Sequence, residues 1–401
     1  MKFLLHTLEV ERNRKPTARP FCPQWLRRWI LVITTVISTG VCTGLVSFNV
    51  YAIKDYYKHF GMWNAETIMA IITGMKPLQC LVNFITLATR PKRHTLLLQQ
   101  MNIVDGKFKK HYRVNINGNR LNTATIALTL SCVTIVTVIR VIQFILQKES
   151  FGYFESDVSF ILIGVLAVWQ MLPLVYFHVH SSAARFWLHK LSNRIDLADQ
   201  QGLSTDNSMM SFFYDTYADI CTYIKRVDRL FGPFILVSVM RCVVALCLTL
   251  YFFTEAKTVL SIPSNVPDNI RIRIYFNTVW SCIEVAVSVL YIGVLSLSGI
   301  STNEQARKIT EAVLRHRFLD DESQFQVYLL VQKVHSQRSW GISAWRAFPI
   351  ERSFLFTLIS GIITYFLLIW KLRQSSYLTK QSLAVINRCF YAPLVMNSTA
   401  E

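Results

Sequence analysis

The sequence predicts an all-α membrane protein with seven transmembrane helices. Of its 401 residues, 52% are hydrophobic and 16% are charged, a composition too apolar for a soluble domain of this length. Seven apolar stretches are each long enough to cross a bilayer as a helix. The basic residues lie mainly in alternate loops, as in proteins that keep such loops on one face of the membrane.

The seven predicted spans are separated by charged loops. They cover residues 30–53, 64–89, 122–147, 157–180, 231–254, 276–300 and 352–372. Pro77 and Pro173 lie inside the second and fourth spans, where a proline kinks a membrane helix locally. One such span could be a buried helix of a soluble protein, but seven in one chain favour a multi-pass membrane protein.

The distribution of lysine and arginine predicts the orientation. The N-terminal segment and loops 90–121, 181–230 and 301–351 together hold 28 of them, whereas the other loops and the C-terminal tail hold 9. Because basic loops stay in the cytoplasm, the N-terminus is predicted to be cytoplasmic and the C-terminus extracellular. Residues 1–29 are basic and lack a short apolar core with a cleavage site, so no cleaved signal peptide is expected.

Several functional classes are disfavoured by the composition. The net charge of +18 reflects basic loops, and no zinc spacing or basic domain with interleaved aromatics predicts binding to nucleic acid. Only Cys389 of the nine cysteines falls in a predicted external segment, so no external disulfide framework is expected. His178 and His180 alternate at a helix end without a third ligand. We expect no enzymatic activity, no metal site and no cofactor.

Five charged residues lie inside predicted spans, where a charge is costly and marks either an ion pair or a functional site. They are Lys76, Arg140, Arg241, Glu284 and Lys371. The orientation predicted for the chain places Arg140 and Glu284 in or near the outer half of the bilayer. There they either pair with each other or face a ligand. Nearby aromatic and polar residues suit a flat organic ligand. The candidate pocket comprises Arg140, Gln143, Phe144, Tyr251, Phe253, Asn277, Trp280 and Glu284.

The last span carries the most specific pattern. Phe354 to Leu372 has 19 residues with a single charge, Lys371, and a helix of that length is roughly 28 Å long, about the thickness of the hydrocarbon core. Its Thr364-Tyr365 pair is followed by five apolar residues and then by Lys371-Leu372. This spacing resembles the signature that closes the last helix of insect gustatory receptors, with Lys371-Leu372 in place of Gln-Phe.

Two further stretches resemble the same family. Residues 230–233 (LFGP) open the fifth span, where Gly-Pro provides a turn or helix start. Residues 348–351 (FPIE) lead into the last span, with Glu351 where the family usually has Asp. The resemblance is specific over 230–372. Over 1–229 it rests on the number of spans, the loop sizes and the topology.

The resemblance implies a subunit of a tetrameric ligand-gated cation channel in the plasma membrane of gustatory receptor neurons. Its last helix would line the pore, and a small organic tastant would bind within the helical bundle. The implied partners are that tastant, membrane lipid, permeating cations and other gustatory receptor subunits in a homo- or heterotetramer. Sugar receptors often carry Glu after the Thr-Tyr pair, and Phe366 at that position favours a bitter or other non-sugar tastant.

This reading divides the chain into five segments. They are a cytoplasmic N-terminus (1–29), helices 1 to 6 with the pocket (30–300), a cytoplasmic anchor segment (301–351), the pore-lining helix 7 (352–372) and an extracellular tail (373–401). Loops 181–230 and 301–351 are long enough to continue helices into a cytoplasmic layer. The candidate pore and gate residues are Thr364, Tyr365, Leu368, Lys371 and Leu372.

Two other classes remain as alternatives. A G-protein-coupled-type receptor also has seven spans, but its basic loops would lie on the opposite side and its Asp-Arg-Tyr motif would close the third span. In this chain Asp228-Arg229-Leu230 precedes the fifth span instead. A secondary transporter would show repeats between its halves and paired broken helices, and the sequence has no such repeat.

Overall fold

The computed structural model describes residues 36–47, 65–88, 90–112, 157–200, 207–255, 268–315 and 341–371, with a few isolated positions besides. Within these ranges the chain is helical apart from one small hairpin. The helices are α1 (Val36–Ser47), α2 (Ala65–Ala88), α3 (Pro91–Tyr112), α4 (Asp157–Gln200), α5 (Asn207–Glu255), α6 (Asp268–Arg315) and α7 (Arg352–Lys371). The strands are β1 (Ser343–Ala344) and β2 (Phe348–Pro349).

The observed helices follow the predicted spans, and the all-α fold class is confirmed. Helices α2, α4, α5, α6 and α7 contain most or all of predicted spans 2, 4, 5, 6 and 7, and α1 covers part of the first. The third predicted span, 122–147, lies outside the described ranges. Among the described residues, three helical stretches are long and apolar enough to cross a membrane: Phe212–Phe253, Ser281–Ile309 and Arg352–Lys371.

Helices α4, α5 and α6 are much longer than the spans they contain. They have 44, 49 and 48 residues, which corresponds to roughly 65–75 Å, about twice the hydrocarbon thickness of a bilayer. Each is extended on the side that carries most of the lysines and arginines. Residues 181–200, 207–230 and 301–315, which belong to the predicted loops, are therefore helical and continuous with these spans.

The extended parts of the helices share a hydrophobic core. Helix α3 packs on α5, and α6 packs on both α4 and α5. The fully buried side chains include Phe108, Trp187, Tyr217, Tyr223 and Phe231. Burying a large apolar side chain stabilises a fold by about 1.5–3 kcal/mol, so this layer is held together much as a soluble helical domain is.

A three-residue loop, Trp345 to Ala347, joins β1 to β2 and contains a β-turn centred on Trp345 and Arg346. Ser343 lies opposite Pro349, and Ala344 lies opposite Phe348. Trp345 and Arg346, which form the turn, have φ angles of 50° and 60°. Hairpin turns of this left-handed type favour Asn and Gly, and a left-handed conformation costs other residues about 1–2 kcal/mol each. Contacts from the rest of the protein must therefore hold this turn in place.

Side chains from α5 and α6 supply those contacts. Asn303 Nδ2 donates to the carbonyl oxygens of Ile342 and Ile350, at 3.1 and 3.0 Å. Its Oδ1 accepts from the Ile342 N–H at 2.8 Å. Asp228 Oδ1 accepts from the N–H and the hydroxyl of Ser343, both at 2.7 Å. The hairpin is thus fixed between two long helices directly before α7 begins.

Close packing also limits the residues that face the hairpin. A Cβ added to Gly232 would lie 3.2 Å from the Cα of Trp345, and one added to Gly299 would lie 2.8 Å from the side chain of Ile350. Both distances are shorter than ordinary van der Waals contacts. The prediction of a turn or helix start at Gly232-Pro233 is wrong, because α5 continues through both residues. The glycine of the LFGP stretch is explained instead by the approach of the hairpin to α5.

Candidate functional site

Helix α7 packs loosely on the rest of the chain. Phe354, Leu355, Leu358 and Ile362 are partly buried against the main core, but no residue in the apolar window of this helix is fully buried. An apolar helix of 20 residues that is exposed over most of its surface needs lipid or another subunit to cover it.

One face of α7 carries small and polar residues. Thr357, Gly361, Thr364, Leu368 and Lys371 follow one another at intervals of three or four residues, so they form a stripe along the helix. All five are exposed. This stripe lies on a different face from the residues that pack against the core, and it is free to face a second molecule.

A shallow groove of about 730 Å³ follows the same face. It is lined by Phe356, Thr357, Ser360, Gly361, Thr364, Tyr365 and Leu368. The groove is thus built from α7 alone, and its polar groups come from hydroxyl side chains. Such a surface offers hydroxyl groups to water or to a second molecule.

A buried ion cluster joins α2, α5 and α6. Glu284 Oε2 lies 2.5 Å from Lys76 Nζ, and Glu284 Oε1 accepts from Arg241 Nη1 at 3.0 Å. The exposed fractions of Lys76, Arg241 and Glu284 are 8%, 2% and 2%. Because charges are buried only when they are paired, the cluster fixes the relative positions of three helices.

Neutral polar groups extend this cluster toward α4. Gln79 Nε2 donates to Ser238 Oγ at 2.8 Å, and the Tyr291 hydroxyl donates to the Gln170 carbonyl oxygen at 3.2 Å. The Arg241 guanidinium lies 5.8 Å from the centre of the Tyr291 ring. Four helices therefore contribute to one polar region inside the bundle.

Some buried polar atoms in this region have no hydrogen-bond partner within the described part of the chain. They are Gln79 Oε1, Gln170 Nε2, Arg241 Nε and both side-chain polar atoms of Asn83. A buried polar group without a partner costs about 1–3 kcal/mol. These atoms are available to bind water or a small polar molecule.

Comparison with known proteins decides the family. A family model described as 7tm Chemosensory receptor matches residues 13–370. The chain belongs to this family. The predicted membership of a chemoreceptor family is thereby confirmed. Among its relatives, the chemoreceptor is 29% identical over 342 residues to "Probable G-protein coupled receptor egl-47" of Caenorhabditis elegans. That match covers 82% of this chain and 65% of the length of the relative.

The fold resembles that of an insect olfactory receptor. The structure of OR5 from Machilis hrabei aligns with a TM-score of 0.52 and 14% identity, over 83% of this chain and 87% of OR5. The structure of OR5 in complex with eugenol aligns with a TM-score of 0.49 and 11% identity, over 89% of this chain and 94% of that chain. At this identity the first similarity concerns the fold alone.

The structure places the predicted pocket residues of the chemoreceptor at two levels. Glu284 lies in the ion cluster, whereas Tyr251 is ten residues beyond Arg241, or roughly 15 Å along α5. Tyr251 packs against the small cluster of Ile68, Ile72 and Ala245. Phe253, at the same end of α5, makes an edge contact with the adjacent Phe252.

The other five predicted pocket residues have side chains that lie outside the described part of the structure. Asn277 and Trp280 belong to α6, but their side chains are outside the described part. Arg140, Gln143 and Phe144 also lie outside the described residues, so the pairing of Arg140 with Glu284 stays a prediction. Arg241, for which the sequence offered no partner, binds Glu284.

The predicted pore residues fall largely on one surface. Thr364, Leu368 and Lys371 share the polar stripe of α7, and Tyr365 lines the edge of its groove. Leu372 lies outside the described residues.

Sequence reasoning named Lys76 and Glu284 as intramembrane charges but missed Gln79, Asn83, Ser288 and Tyr291. Lys76, Gln79 and Asn83 follow one another at spacings of three and four residues in α2, as do Glu284, Ser288 and Tyr291 in α6. Polar residues repeated at helical spacing in an apolar segment mark its buried polar face. This repeat of polar residues is the signal in the sequence from which the polar region could have been predicted.

Proposed function

We propose that this chemoreceptor is a subunit of a ligand-gated, non-selective cation channel that is opened by a small organic tastant. The observation that carries the proposal is the exposed α7 with its stripe of small and polar residues. Four copies related by a cyclic axis would bring four stripes to the centre, where they would form a polar path through the membrane. The similarity of the fold to an insect olfactory receptor supports this arrangement.

The channel subunit has its N-terminus in the cytoplasm and its C-terminus outside the cell. The extended ends of α4, α5 and α6 then form a cytoplasmic layer in which subunits contact one another. Copies of this chain or other gustatory receptor subunits complete a tetramer in the plasma membrane of gustatory receptor neurons. Lipid surrounds the assembly, and cations pass along its axis.

The tastant enters from the outer side and binds inside the helical bundle. Tyr251 and Phe253 offer aromatic surface at the outer level, and the unpartnered polar atoms near Arg241 offer hydrogen bonds deeper down. A compound that is flat, mainly apolar and carries a few polar groups suits these two levels. We infer a bitter or other non-sugar ligand, in line with Phe366 after the Thr-Tyr pair.

A receptor that signals through G proteins is the second candidate, because the name of the nematode relative describes such a protein. The two candidates differ in topology. We expect an epitope tag at the N-terminus to be inaccessible to antibody in intact cells, and a tag at the C-terminus to be accessible. Permeabilised cells provide the control for tag exposure. Surface labelling of the N-terminal tag would reject the channel proposal.

The pore is tested through Lys371. In a homotetramer four Lys371 side chains would form a ring, and a ring of positive charge favours anions over cations. We therefore expect Lys371→Gln to raise ligand-evoked cation current, or to shift the reversal potential toward cation selectivity, without changing the rank order of ligands. Currents would be recorded in oocytes against a panel of bitter compounds and sugars, with and without candidate partner subunits.

Lys371→Arg is the matched control, because it keeps the charge and should behave as the wild type does. If Lys371→Gln leaves current, reversal potential and rectification unchanged, Lys371 points away from the pore.

A further inference from the structure

Three arginines from separate parts of the chain converge on one surface. Arg93 Nη1 donates to the carbonyl oxygen of Arg229 at 3.2 Å. Arg229 follows Asp228 in α5, and the Ser343 hydroxyl, which donates to Asp228, accepts from the Arg346 N–H at 3.0 Å. All three arginines are exposed. The start of α3, the middle of α5 and the tip of the hairpin thus form a single basic patch.

Within the described part of the chain, Asp228 offsets only part of the positive charge of this patch. None of the three arginines forms an ion pair with a described carboxylate, unlike Arg307 with Glu351. Asp228 is buried and is already bonded to Ser343. Partial burial, and then the adjacent charge of Arg93, lower the pKa of Arg90, as expected where cations crowd together.

The patch lies close to the ends of two apolar helices and to the start of the predicted fifth span. Helix α2 ends at Ala88, just before Arg93, and α7 begins at Arg352, just after Arg346. The backbone of Trp345 approaches Gly232 at the start of the predicted fifth span. Trp345 is 60% exposed at the hairpin tip. Tryptophan and arginine are the side chains that favour the headgroup region.

We infer that Trp345, Arg93, Arg229 and Arg346 form a docking surface for anionic phospholipid headgroups. Guanidinium groups bind phosphate oxygens in a planar, bidentate manner, and the indole ring lies among the headgroups. An anionic leaflet provides the complementary charge at the depth where the patch lies. The cytoplasmic leaflet is the source, which follows from the orientation under the proposed function.

The inference is tested on the purified full-length protein in detergent. Binding of phosphatidylserine and phosphatidylcholine would be compared by native mass spectrometry, with thermal unfolding as the check on folding. We expect the wild type to prefer phosphatidylserine. In Arg229→Gln with Arg346→Gln, we expect phosphatidylserine affinity to fall roughly thirty-fold, since each basic residue near a surface contributes about a factor of five.

Lys109→Gln with Lys110→Gln is the matched control. Both lysines are exposed in the last turn of α3, roughly 24 Å along the helix from Arg93, so we expect no change in lipid affinity. Should the arginine double variant fold poorly, Arg346→Gln alone should still weaken phosphatidylserine binding about five-fold. Arg346 lies at the hairpin tip, where its side chain has few contacts to lose.

Three results would overturn the inference. In the first, the wild type shows no preference for phosphatidylserine. In the second, the arginine and lysine variants lose affinity equally, which would indicate a general charge effect. In the third, lipid affinity is unchanged in the arginine variants while the number of subunits changes, which would make the patch a subunit interface. Lipid binding is measured without recording channel current. A negative result for lipid binding can therefore be told apart from a negative result for the channel proposal.

Discussion

Glu284→Gln should destabilise the folded chemoreceptor by about 3–5 kcal/mol, the usual cost of removing one member of a buried ion cluster. The substitution keeps the size of the side chain but leaves the charges of Lys76 and Arg241 without their shared carboxylate. The loss would be measured as a lower thermal midpoint and a smaller monodisperse fraction after extraction into detergent.

A matched control is the same change at a half-exposed ion pair. Glu351 binds Arg307 at 2.8 Å near the surface, where such pairs contribute at most about 1 kcal/mol. Glu351→Gln should therefore have little effect on the thermal midpoint. Adding Lys76→Met to Glu284→Gln should restore part of the lost stability, because it removes one of the two cations that share the Glu284 carboxylate.

The ligand response distinguishes a structural role of Glu284 from a binding role. If Glu284→Gln folds normally and shifts only the dose response, Glu284 contacts the tastant. If it folds normally and the response is unchanged, both roles are excluded. Exchange of charges between Arg140 and Glu284 remains a separate test of the pairing expected from the sequence.

The membrane-spanning part of the fold could be predicted because hydrophobicity and length are local properties. The predicted spans agree with α2, α4, α5, α6 and α7. The ends of the long helices could not be located in the same way. Hydropathy falls on the N-terminal side of the predicted fifth span, but α5 continues there as helix because Tyr217 and Tyr223 pack in the hydrophobic core.

The pairing of charges depends on which face of a helix each residue occupies. Sequence reasoning matched Arg140 with Glu284 by their expected depth alone. The structure brings Arg241 and Lys76 to Glu284, from positions far away in the chain. The depth of a residue in the membrane follows from its position within one span. The side of α2, α5 or α6 that faces its neighbours depends on how all three helices pack together.

The hairpin before α7 also could not be predicted locally. Its turn residues, Trp345 and Arg346, are unfavourable for a left-handed turn, so local sequence argues against it. The hairpin forms because Asn303 and Asp228, distant in the chain, bind its backbone. The FPIE stretch resembles a family pattern, and its Phe348-Pro349 pair forms strand β2.

Asn303→Ala should release the hairpin from α6. The side-chain amide of Asn303 makes three buried hydrogen bonds to the backbone of Ile342 and Ile350. Ile342 O retains one bond, from the Ile350 N–H at 3.0 Å, so the loss is partial. We expect a local cost of about 2–4 kcal/mol, added to a turn that is already strained.

Hydrogen–deuterium exchange of residues 341–350 provides the measurement. Exchange through local opening reports the local free energy, and a cost of this size corresponds to an acceleration of roughly 30- to 1,000-fold. Asn102→Ala, at an exposed position of α3, is the control and should leave exchange of the hairpin unchanged. Asn303→Asp keeps the acceptor for the Ile342 N–H but loses both donated bonds, so it should resemble Asn303→Ala.

The functional consequence follows from position, because the hairpin leads directly into α7. Without the contact between α6 and Ile350, fewer interactions fix the orientation of α7 relative to the other helices. Asn303→Ala should therefore reduce ligand-evoked current at normal surface expression, while Asn102→Ala should not. Unchanged hairpin exchange together with unchanged current in Asn303→Ala would contradict a role for this contact in positioning α7.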